Sequence, residues 1–106
     1  MKRTDVIAYY ETKHVPLILS LFPTISAYRR NYADFGAAFV NPLAAPFDFD
    51  IVTEIFFASD ADRLAMFKQA ADPKVLSTIE ADEANFLESG FTRMFLVDSR
   101  ETQVER

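Results

Sequence analysis

Residues 47–58 read FDFDIVTEIFFA, and their alternation decides the fold class. Successive side chains of an extended chain point to opposite faces, so Phe47, Phe49, Ile51, Ile55 and Phe57 share one face while Val52, Glu54 and Phe56 share the other. Both faces carry apolar groups. A sheet that shows one face to water does not need that pattern, whereas a sheet covered on both sides does.

Working outward, residues 25–33 place Tyr28, Arg30 and Tyr32 on one parity and Ala27, Arg29 and Asn31 on the other, which suits a partner strand with a large-residue face. A first helix precedes it. Thr4 is a suitable cap, and Ile7, Tyr10 and His14 recur at three- and four-residue spacing. Pro16 disfavours helical geometry at Val15, so a break or kink is expected there before residues 17–22 continue and Pro23 stops the helix.

Residues 34–46 have the length and turn residues of a loop yet carry Phe35, Phe39, Val40 and Leu43, so the segment either packs on the domain's own core or covers a ligand cavity. Ser59 with Asp62 resembles a capping box, followed by Leu64 and Phe67 at helical spacing. Asp72 and Pro73 mark another start, after which Val75, Ile79 and Phe86 form a stripe that Gly90 ends. Residues 91–97 read as a closing strand, with Met94 and Leu96 on one face.

The order helix, strand, strand, helix pair, strand predicts an α+β domain: one antiparallel sheet with helices on one side. Val52, Phe56, Met94 and Leu96 would then form an exposed patch of the size that marks an interface. A second copy packing sheet to sheet would cover it, so a homodimer is expected.

The chain has 106 residues, half of them hydrophobic, with eleven Phe and two Gly, which fits one globular domain over residues 1–98 and a polar tail over 99–106. The formal net charge of -5 argues against nucleic acid as a partner, since phosphate binding rests on many Lys and Arg, and the Arg29, Arg30 pair is too small to reverse it. The absence of cysteine removes thiolate and disulfide chemistry. Lys2 and Arg3 lack the apolar core of a signal peptide behind them, and the apolar run 15–22 is too short to span a membrane, so a cytoplasmic protein with no membrane partner is expected. No Gly-rich phosphate loop, serine elbow or spaced metal-ligand set is present, and no cofactor is inferred.

Three motifs stand in register. Residues 9–17, YYETKHVPL, resemble the signature helix of the EthD family of the dimeric α/β-barrel superfamily. Residues 50–57, DIVTEIFF, and 81–87, ADEANFL, resemble that family's later strand and acidic helix. The resemblance covers roughly residues 5–98. It implies a ferredoxin-like sheet that joins a second copy into a barrel, with a ligand cavity between helices and sheet in each subunit. The family's domain begins with a strand before the helix, and only three residues precede Thr4 here, so the first strand is missing, truncated or replaced by exchange between subunits.

His14 is the one side chain that ordinarily titrates near neutrality, and its place on an apolar stripe suits an acid/base role beside a cavity. It could equally bond the carbonyls of a helix end. Tyr10, one turn earlier, could orient a bound oxygen or simply pack. Glu54 on the mixed face needs a partner or a use, with Arg30 a structural candidate. Asp82 and Glu83 flank the stripe from Ile79 to Phe86, and the resemblance favours Asp82.

His14, Tyr10 and Asp82 are therefore the candidate catalytic residues, and Glu54, Arg30, Phe35 and Phe39 the candidate ligand contacts. The resemblance implies a small enzyme acting on an apolar or aromatic oxygenated metabolite through ether breakdown, monooxygenation, cyclisation or isomerisation. A ligand-binding accessory protein without catalysis is the alternative.

Overall fold

The computed structural model describes residues 2–87 and 92–106. Its first element is a continuous helical run in three parts: α1 (Arg3–Tyr9), a π-helical turn (Tyr10–His14) and α2 (Val15–Leu21). The junctions stay in right-handed helical geometry, so the break expected at Val15 does not occur. Pro16 has no N–H and its ring crowds the carbonyl four residues back; a wider turn relieves that conflict without ending the helix. Within it the Val15 N–H reaches back five residues to the Tyr10 carbonyl. The expected cap is also displaced, because Lys2 holds the N-cap position and makes no side-chain cap bond, which leaves Thr4 inside the first turn.

Phe22 leaves helical geometry, and the chain turns through Pro23 into β1 (Ile25–Tyr32). A short 3-10 turn (Phe35–Ala37) follows, capped by the Asp34 side chain. β2 (Ile51–Phe57) then pairs antiparallel with β1, with Tyr28 opposite Ile55, Arg30 opposite Thr53 and Tyr32 opposite Ile51. The strand is shorter than residues 47–58. Phe47 and Phe49 leave the ladder to pack on Phe35, the ring centroids lying 4.3 and 5.8 Å away.

Ser59 caps α3 (Asp60–Ala70) by accepting from the Asp62 N–H at 3.1 Å, and Asp72 caps α4 (Pro73–Glu83) by accepting from the Lys74 N–H at 2.9 Å. Both starts agree with the sequence. The buried face of α3 differs, however: Met66 enters the core while Leu64 and Phe67 stay exposed. α4 is shorter than the stripe suggested, since residues 84–87 continue as turns; Gly90 lies outside the described residues.

The core lies where the helices cross one face of the sheet. Ile18, Phe22 and Met66 are buried together, and Leu21, Ile25, Tyr28, Ile55, Phe57, Val75 and Ile79 pack around them. Phe22 is 1% exposed. The opposite face carries Val52, Glu54 and Phe56 against Ala27, Arg29 and Asn31, and no described helix of the chain covers it; Arg29 lays its guanidinium over the Phe56 ring at 5.1 Å.

The architecture is thus α+β, with helices on one side of a two-stranded antiparallel sheet, compatible with a ferredoxin-like arrangement that lacks strands. The expected closing strand is not formed. Residues 92–97 have no strand pairing, and Met94, Phe95, Leu96 and Val97 are all exposed, while Phe91 lies outside the described residues. Alternation makes a segment able to pair, but among the described residues both outer edges of the two-stranded sheet stay unpaired. No described helix is long and apolar enough to cross a membrane.

Candidate functional site

The π-helical turn brings two side chains onto the inner side of the first helix. Tyr10 and His14 are buried, at 6% and 5% exposure, with ring centroids 4.8 Å apart. Phe86, just beyond α4, closes the other side, 5.1 Å from the His14 ring and 5.5 Å from Tyr10. Tyr9 packs on the same Phe86 at 5.1 Å. The imidazole therefore sits between two aromatic rings, and Tyr9 backs one of them.

A burial of that kind requires a polar partner for the ring nitrogens. Asp82 provides it: its Oδ2 lies 2.7 Å from His14 Nδ1. A carboxylate accepts rather than donates, so this contact favours the tautomer with the proton on Nδ1 and Nε2 as the acceptor. Asp82 reaches this position because Val75, Ile79, Asp82 and Phe86 follow one another at four-, three- and four-residue spacing, along one face of α4 and its extension. It is the charged member of an otherwise apolar stripe.

The second oxygen of Asp82 is engaged as well. Tyr9 donates its hydroxyl to Oδ1 at 2.8 Å, and Asn85 Nδ2 donates to the Tyr9 oxygen at 3.0 Å. The bond to Asp82, with burial second, raises the Tyr9 pKa above its ordinary value, so the phenol keeps its proton and remains a donor. Glu83, beside Asp82, is also held above the usual carboxylate range, chiefly by burial.

Tyr10 directs its hydroxyl away from His14 and into the sheet, 2.7 Å from Thr53 Oγ1 and 3.2 Å from the Tyr28 hydroxyl. Burial and the Tyr10 hydroxyl push the Tyr28 phenol up strongly. Tyr10 therefore meets His14 with its ring face rather than with its polar end. Thr53 occupies the apolar parity of β2 between Ile51 and Ile55, and a lone hydroxyl there was the signal that sequence reasoning overlooked.

Arg30 belongs to a different cluster. Its guanidinium forks onto Glu11, with Nε and Nη2 at 2.9 and 2.7 Å from the two carboxylate oxygens, and Tyr32 donates its hydroxyl to the same carboxylate. The Arg30 hydrogen bond, followed by that of Tyr32, lowers the Glu11 pKa to about 2. The suggested pairing of Arg30 with Glu54 is ruled out by the register, because the two lie on opposite faces of the sheet; Glu54 instead accepts from Asn31 at 3.1 Å and faces Arg29 at 3.8 Å.

An open groove of about 430 Å³ follows β1, lined by Glu11, Ala27, Tyr28, Arg29, Arg30 and Tyr32. His14, Tyr10 and Asp82 do not line it. Phe35 stacks within its own loop, and Phe39 is 96% exposed, so neither reaches His14 within one chain. Among the described residues no group of three or more His, Asp or Glu is gathered to hold a metal ion.

The family model described as EthD domain matches residues 1–90. Neither a curated protein nor a solved structure matches the chain.

Proposed function

Because the chain belongs to the EthD domain family, we propose that it is a small homodimeric enzyme that acts on an apolar or aromatic oxygenated metabolite, with His14 as its acid/base group. The observation that carries this reading is the 2.7 Å contact between buried His14 Nδ1 and Asp82. A carboxylate in that position fixes the tautomer and stabilises the imidazolium that forms when Nε2 accepts a proton. Tyr10 and Phe86 supply aromatic surface around the ring, which suits a substrate with few polar groups.

In the proposed step, Nε2 takes a proton from carbon or oxygen of the substrate and returns it to the leaving or rearranged atom. The net change is proton transfer coupled to carbon–oxygen bond chemistry of the kind the family resemblance implies. Tyr10 acts as a ring wall held by Thr53 and Tyr28, and the second copy closes the open side of the sheet.

The test is turnover of a panel of ethers, phenols and lactones by the wild type and by His14→Gln, which keeps the volume and a donor toward Asp82. Loss of positioned proton transfer is expected to lower the rate by about 10²- to 10⁴-fold with retained folding. Unchanged turnover by the variant would reject the acid/base role and leave a binding function.

A further inference from the structure

Tyr9 stands outside the apolar stripe that carries Tyr10 and His14, yet it holds the far oxygen of the carboxylate on which His14 depends. We infer that Tyr9, backed by Asn85, is a positioning residue that locks the Asp82 carboxylate and thereby keeps the His14 proton on Nδ1; this rests on the acid/base reading of His14. The chain of donors is continuous: Asn85 Nδ2 to Tyr9 oxygen at 3.0 Å, Tyr9 hydroxyl to Asp82 Oδ1 at 2.8 Å, and His14 Nδ1 to Asp82 Oδ2 at 2.7 Å.

The physical need is rotational. A carboxylate bonded at one oxygen only can swing about its terminal torsion, which has a broad and shallow profile. Bonded at both oxygens by groups on the first helix, it presents Oδ2 to Nδ1 in one orientation. Asp82 side-chain exposure is 12%, so water has limited access to replace either donor. Asn85 bonds the α4 carbonyl of Ala81 at 3.2 Å as well, which anchors the outer end of the relay to the helix that carries Asp82.

The charged and titratable groups that face His14 are Asp82 and Glu83 from α4 and Tyr10 from its own helix. Glu83 makes no hydrogen bond to His14 or Tyr9 among the described residues, so it does not substitute for the lock. The Tyr9 ring, by contrast, packs on Phe86 whether or not it bears a hydroxyl.

The distinguishing variant is therefore Tyr9→Phe, which deletes one oxygen and keeps the ring. His14 is the single histidine of the chain, so ring-¹⁵N labelling of histidine reports one residue without assignment or substrate. In mildly alkaline buffer the wild type is expected to show the Nδ1–H tautomer with an Nδ1 proton protected from exchange. Tyr9→Phe should populate the Nε2–H tautomer and speed Nδ1–H exchange by about tenfold, the scale of one hydrogen bond to a charged group.

Asn85→Ala, at an exposed position, should give the same change in smaller measure. Unaltered tautomer and exchange in Tyr9→Phe, or in Asn85→Ala if the first variant does not fold, would overturn the lock. Because no turnover is measured, that failure is separate from a failure of His14 in catalysis, which only the His14→Gln rates reveal.

Discussion

At the scale of single residues the chain holds two separate charge pairs, each with one member on the first helix. His14 with Asp82 is the buried pair, whereas Glu11 with Arg30 is a partly exposed strut between the first helix and β1, its carboxylate 35% exposed. The second pair has a clear pH signature. Glu11 is held down to about 2 in the fold, against about 4.5 in the unfolded chain, so its contribution is complete above the unfolded value and disappears as pH falls toward the folded one. Thermal melts of the wild type are expected to lose stability across that acid window, and Glu11→Gln should lose less of it. Parallel acid profiles for the two proteins would contradict the assignment. Tyr10 and His14 were legible as polar groups at stripe positions where an apolar side chain is the norm, and Asp82 was favoured over Glu83 by the family resemblance. Tyr9 and Glu11 were not, because their partners lie 73 and 19 residues away and no local pattern encodes such a contact.

At the scale of elements, the π-helical turn is the feature that sequence described only as a fault. Pro16 signals a conflict with the straight helix, but whether the chain breaks, kinks or widens depends on what the next turn gains by continuing. Continuation buries Val15, Ile18 and Phe22 and keeps Tyr10 and His14 on one side. Phe22 is the strongest anchor of that arrangement, so Phe22→Ala is expected to cost about 3–5 kcal/mol, measured by denaturant unfolding. A cost below about 1 kcal/mol would show that the first helix is held elsewhere. The capping residues Ser59 and Asp72 were readable because a cap is a local hydrogen bond. The extent of β2 was not, since Phe47 and Phe49 satisfy strand alternation equally well and yet pack on Phe35 outside the ladder. The closing strand expected over residues 91–97 is absent from the described residues 92–97 for a related reason: alternation describes a segment able to pair, while pairing itself is a long-range contact that no local pattern encodes.

At the scale of the whole molecule, the chain's radius of gyration is 16.1 Å, against about 13 Å for a compact chain of similar length. Val52, Leu64, Phe47, Phe49 and the run from Met94 to Val97 all remain exposed. Apolar surface on that scale is the mark of a face that meets something, and the pattern of residues 47–58 already pointed to a sheet used on both sides. In the proposed reading one chain is half of the working unit, with a second copy covering the sheet and a small apolar molecule held beside His14. Native mass spectrometry of the protein as purified from its host tests both parts together. The account predicts a mass of two chains carrying added small-molecule mass, and a bare single chain of 12.1 kDa at micromolar concentration would contradict it.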